Sequence, residues 1–261
     1  MIRLYKLSWL LCAAVLAFSC SDDDDPLPLP TVDFVVDPAQ VEVGIPVMFD
    51  NITRNADNYS WSFGGTITST EVSPTITFTT PGSVEVVLTA ITLDGQEVSV
   101  TKTITVKQRF LTGYSVNVFP AKNADLDWDD GAAPEDVFPD IFVQFLVDKD
   151  NPSQAEFDNA LFDGIFTNIP VSSFARTDAD QGFPTDIILT NEDWGFALFD
   201  FDGSDPANPG PTDFEFMAGV IFNPVQTITF KSPAGDVGFI SVFITDSAGN
   251  TLDVDISFEL R

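Results

Sequence analysis

Two loops of this 261-residue chain concentrate carboxylates at spacings that could hold a cation or move a proton. Asp125, Asp127, Asp129, Asp130, Glu135, Asp136 and Asp140 fall in one, and Asp200, Asp202, Asp205 and Asp213 in the other. Histidine is absent, which removes every arrangement that needs imidazole as base or ligand. Carboxylate chemistry of two kinds survives. One is an all-oxygen cation site. Acids held a few ångströms apart repel one another, and Ca2+ takes roughly six to eight oxygens in a flexible shell that two loops can supply. Mg2+ fits less well, because it prefers strict octahedral geometry and keeps its water, and zinc wants His or Cys. The other kind is glycoside hydrolysis by two acids at a defined separation, for which Asp129 or Asp130 could face Asp200 or Asp202. The same acids would also suit solvated loops that keep an anionic protein soluble.

Charge narrows the partners. The chain carries 40 acidic and 11 basic residues, a net charge of -29. Phosphate backbones need Lys and Arg, so nucleic acid is excluded, and anionic lipid could be met only through a bridging cation. The excess is lopsided: residues 108–261 hold 27 acidic and 6 basic residues, whereas residues 31–107 hold 9 and 3.

The N-terminus reads as an address. Arg3 and Lys6 precede the apolar stretch Leu7–Ala17, which has the length of a signal peptide and is too short to span a bilayer. Ala17-Phe18-Ser19-Cys20 resembles a bacterial lipobox, with Ala17 where leucine is usual. That resemblance implies a signal peptide over residues 1–19, cleavage before Cys20 and acylation of Cys20, anchoring the protein to a membrane. An ordinary secretory signal with an incidental cysteine is the alternative. Cys12 departs with the leader, so the mature chain can form no internal disulfide. Ser21-Asp22-Asp23-Asp24-Asp25 resembles the acidic export signals of lipoproteins on the outer face of Gram-negative outer membranes, and it also serves as a self-repelling spacer. Pro26, Pro28 and Pro30 stiffen a tether over residues 20–30.

The elements that must position the acids are strands. Runs of alternating Val, Ile, Phe and Thr between Gly, Pro, Asn and Asp predict an all-β chain. Residues 31–107 hold about seven short strands, which suggests an immunoglobulin-like sandwich. Tyr59, Trp61 and Phe63 share one face, and Asp94-Gly95 marks a hairpin. Gly44 with Val47 and Phe49, Tyr59-Ser60-Trp61-Ser62-Phe63-Gly64, Pro74, Phe78, Pro81-Gly82 and the Val86, Leu88, Ala90 alternation together resemble the PKD domain family. Such domains are extracellular spacers or modest binding modules. Trp61 is expected to be a core residue.

Residues 108–261 predict a second β-sandwich filled with Phe. Strands frame both acidic loops: Tyr114–Phe119 enters the first and Ile141–Val147 leaves it, while Gly195–Phe199 enters the second and Phe214–Phe216 leaves it. Asp246–Asn250 reads as a turn. Pro139-Asp140-Ile141-Phe142-Val143, then Phe199-Asp200-Phe201-Asp202, Asp213 and Gly219 resemble the loops of the C-two domain, a calcium-dependent lipid-binding sandwich, with Pro and Asp reversed at 139–140. The resemblance implies Ca2+ ligands at Asp130 or Asp127, at Asp140, and at Asp200, Asp202 and Asp213.

These features predict a non-enzymatic, lipid-anchored surface protein of the outer membrane, facing the exterior. A PKD-like spacer would display a calcium-dependent sandwich that binds polysaccharide, lipid or protein. Trp128 and Trp194 are candidate sugar-stacking faces, or else core and loop anchors. A carboxylate-dependent glycosidase, or an accessory module of one, is the alternative.

Overall fold

The computed structural model describes residues 28–120, 128, 139–147, 161–166, 173–177, 179–180, 183, 186–203, 213–247 and 249–261. Every regular element among them is a strand. The leader, Cys20, the tether up to Leu27, Asp127 and Asp130 lie outside the described residues.

Eight strands build the first domain: β1 Phe34–Asp37, β2 Val41–Glu42, β3 Pro46–Asn51, β4 Asn58–Phe63, β5 Ile67–Ser69, β6 Thr75–Thr77, β7 Gly82–Ile91 and β8 Glu97–Lys107. They form two sheets, β1-β3-β6 and β2-β8-β7-β4-β5, the pairing of β2 with β8 being parallel. Period-two alternation sends Val47 and Phe49 inward from one sheet and Trp61 and Phe63 from the other. The rings meet edge to face, with Phe49 and Phe63 centroids 4.7 Å apart and Phe34 and Trp61 5.2 Å apart. Trp61 is fully buried, and its indole Nε1 donates to the Glu71 carbonyl at 2.9 Å, so its one polar atom is satisfied within the core. Asp94-Gly95 turns the β7–β8 hairpin as expected, with Gly95 at φ +83°, where a side chain would be strained.

Among its described residues the second sandwich has ten strands: β9 Arg109–Val118, β10 Ile141–Val147, β11 Leu161–Phe166, β12 Phe174–Thr177, β13 Ile188–Leu189, β14 Trp194–Phe201, β15 Phe214–Phe222, β16 Thr229–Lys231, β17 Val237–Thr245 and β18 Thr251–Leu260. One sheet runs β11-β10-β14-β15 and the other β12-β9-β18-β17-β16, with β13 also on β9. Tyr114, Phe145 and Phe196 are buried between them, Phe145 and Phe196 at 4.9 Å edge to face. Gly113 lets β12 approach: a Cβ there would lie 2.4 Å from the Arg176 carbonyl oxygen.

Gln108 alone separates β8 from β9, and charged groups pack where the two sandwiches meet. Glu42 accepts from Arg109 Nε at 2.8 Å and also pairs with Lys231. Arg109 donates to the Pro224 carbonyl and lies over the Phe258 ring, 4.6 Å from its centroid. Burial lowers the Arg109 pKa to about 10 and lowers that of Lys231 as well.

Candidate functional site

The second acidic loop begins as a strand, and that decides where its first acid goes. On β14 the even-numbered residues Trp194, Phe196 and Leu198 point into the core, and Asp200 continues the same row with 0% exposure. A carboxylate therefore occupies a core-facing position at the strand's end. Its cross-strand neighbours are Ile141 on β10 and Glu215 on β15. Residues directly opposite in an antiparallel pair project from the same face, so Glu215 stands beside Asp200 on the core side of the sheet.

The two loops join at this end through the backbone. The Asp140 amide donates to Asp200 Oδ1 at 3.0 Å, and the Phe201 amide to the Asp140 carbonyl at 2.9 Å. The Asp202 amide donates to the Asp213 carbonyl at 2.8 Å, closing the mouth of the second loop. Gly203 makes that closure possible, since a Cβ there would lie 2.4 Å from the Phe201 ring and 2.8 Å from Asp213 Oδ2. On the opposite face of the sheet, Phe142 and Phe214 (4.8 Å) and Phe201 and Phe214 (5.4 Å) pack the same strand ends together.

Among the described residues, Asp200, Asp202 and Glu215 each bring a carboxylate oxygen to within 4.8 Å of the others. The structure thus gathers Asp140, Asp200, Asp202 and Asp213 at one end of the sandwich, the first and last joined through backbone groups. Glu215 is an addition to the expected set. Its signal is positional: it sits in the strand after the loop, in register with Asp200.

The donor set suits a hard cation. All three groups are oxygen donors, and the flexible shell of Ca2+ accepts carboxylates from a strand end and a loop more readily than the strict octahedron of Mg2+.

Of the two readings open to Trp128 and Trp194, the structure gives core anchoring. Trp128 and Trp194 belong to the core of the second sandwich, and their indole nitrogens donate to the Pro120 carbonyl (3.1 Å) and to Thr190 Oγ1 (3.3 Å). Neither presents a ring face to a ligand. Asp246–Asn250 is a turn as expected, with the Asn250 amide donating to Asp246 Oδ1 at 2.9 Å.

No curated protein matches the chain. Among solved structures, the PKD1 domain of the Vibrio cholerae metalloprotease PrtV is 34% identical, covering 30% of this chain and 98% of that one, with a TM-score of 0.27. The PKD1 domain of Vibrio anguillarum Epp is 26% identical, covering 31% and 96%, with a TM-score of 0.28. A carbohydrate-binding module of the β-sandwich superfamily aligns over 90% of this chain and 92% of its own at 11% identity and a TM-score of 0.30, too slight to assign a ligand. The family profile described as PKD domain matches residues 28–107, the span that holds β1 to β8 and their aromatic core, and through those residues the chain belongs to the PKD domain family.

Proposed function

We propose that this chain is a non-catalytic surface display protein, in which the PKD domain carries a second sandwich whose acidic end binds Ca2+. The carrying observation is the burial of the Asp200 carboxylate in a core-facing row, with the carboxylates of Asp202 and Glu215 beside it. A buried carboxylate next to two others is costly unless a cation or a proton compensates it, and a divalent ion is the compensation that an oxygen-only donor set suits. Asp200, Asp202 and Glu215 would hold the ion, with Asp140 and Asp213 setting the loops around it. The C-two resemblance and the lopsided negative charge of residues 108–261 support the same reading.

The lipobox-like Cys20 and the acidic run behind it support attachment to the outer membrane, facing outward. Isothermal calorimetry of the purified protein tests the metal reading. The expected outcome is saturable Ca2+ binding that Asp200→Asn abolishes and that Mg2+ does not reproduce. Absence of binding, or binding unchanged in Asp200→Asn, would refute it.

A further inference from the structure

The outer face of the six-stranded sheet divides into two columns of different chemistry. On β17 the inward residues Ile240 and Val242 are buried, and the alternating outward positions Val237, Phe239 and Phe243 are exposed, Phe243 at 66%. Phe230 on β16 lies directly across from Phe239, their rings 5.0 Å apart and within 22° of parallel. The neighbouring strand β18 presents oxygen on the same face, because its other residues, Leu252, Val254, Ile256 and Phe258, are buried. Asp253, Asp255, Ser257 and Glu259 stand across from Phe243, Ser241, Phe239 and Val237. Alternate strand residues repeat every ~6.7 Å, and Phe239 and Phe243 are about 13 Å apart along β17. The result is an aromatic strip lying beside a periodic line of hydrogen-bond acceptors, one strand spacing away.

We propose that this face binds a neutral polysaccharide, its apolar sugar faces on Phe230, Phe239 and Phe243 and its hydroxyls donating to the β18 acceptors. The proposal rests on the reading of the second sandwich as a binding module and names its ligand class. Charge excludes the anionic occupants, and the regular spacing of rings and acceptors favours a repeating polymer. Carboxylates along the strip repel anionic lipid, phosphate polymers and a second copy of this -29 chain. A Lys- or Arg-rich peptide engages carboxylates and rings alike and is the competing occupant that the cationic-column arm of the test detects. A neutral polyhydroxyl chain offers both an apolar face and donors, repeated along its length. Arg261, the cation at one corner, is already paired with Glu259 and Asp186. Asn117 donates to Asp255 Oδ2 at 3.0 Å, which steadies that acceptor without occupying its second oxygen.

Affinity electrophoresis of the purified protein through gels containing xylan, soluble β-glucan or starch, with sedimentation on insoluble cellulose, tests the face. The expected result is retention on at least one of these polymers, weakened about tenfold or more by Phe230→Ala/Phe239→Ala and by Phe243→Ala, and preserved in Phe239→Trp. These side chains are exposed, and unchanged melting of the variants confirms their folding. No retention on any polymer, or retention indifferent to the ring variants, overturns the proposal. So does retention on a cationic protein column, or self-association, that the same variants abolish. The ring variants leave Ca2+ calorimetry unchanged, and Asp200→Asn leaves ring-dependent retention unchanged. Failure here is therefore distinguishable from failure of the metal reading.

Discussion

Asp200 and Glu215 stand directly opposite one another on β14 and β15, two acids facing the same side of a sheet where the preceding positions of β14 are apolar. Like charges so placed destabilise a strand pair. The consequence has a sign that depends on the cation. In chelator, Glu215→Gln relieves repulsion and raises stability by roughly 0.2–1 kcal/mol. In saturating Ca2+ the same variant loses a ligand and becomes the less stable of the two. Urea unfolding of both proteins in the two buffers shows the crossover or its absence.

The junction between the sandwiches depends on Glu42, which is buried with both Arg109 and Lys231 turned to it. Glu42→Ala strands the Arg109 charge in a buried site and is expected to cost about 3–5 kcal/mol. Replacing the pair together, Glu42→Leu with Arg109→Met, is expected to cost less, because the buried guanidinium goes with its partner and the Lys231 ammonium that remains is partly exposed. A double-mutant cycle by urea unfolding checks both values.

Trp61 acts through packing. Trp61→Ala empties the centre of the first core and is expected to cost about 3–5 kcal/mol. Chemical denaturation followed by far-ultraviolet circular dichroism measures it, because Trp128 and Trp194 report the second core and not the first.

The proposed attachment runs through Cys20. Cys20→Ser is expected to abolish incorporation of labelled fatty acid and to release the protein from the membrane fraction. Persistence of the label in the variant would place acylation elsewhere.

Much of this was legible in the sequence because strand alternation is local. Tyr59-Ser60-Trp61-Ser62-Phe63 carries the β4 pattern within a single strand, and the apolar run into Asp200 foretold β14. The two-residue strands β2 and β13 are too short to show a period and exist through their partners β8 and β9. Glu215 was hidden because the second loop was delimited by its aspartates, and only pairing register carries an acid in the next strand to Asp200. Glu42 and Arg109 are 67 positions apart, a separation at which no sequence pattern links an acid to a base. For Trp128 and Trp194 both readings stood side by side, since a large aromatic beside acids looks the same in sequence whether it faces a ligand or a core, and the structure places both in the core.

Thermal melting of the purified protein across a Ca2+ series tests the central claim most directly, that Asp200, Asp202 and Glu215 together hold a calcium ion. The wild-type midpoint should climb with the logarithm of Ca2+ concentration, by the equivalent of about 2.7 kcal/mol at a hundredfold excess over Kd, and Asp200→Asn/Asp202→Asn should stay flat. A wild-type midpoint that ignores Ca2+, or a double variant that climbs in parallel with it, would contradict the account.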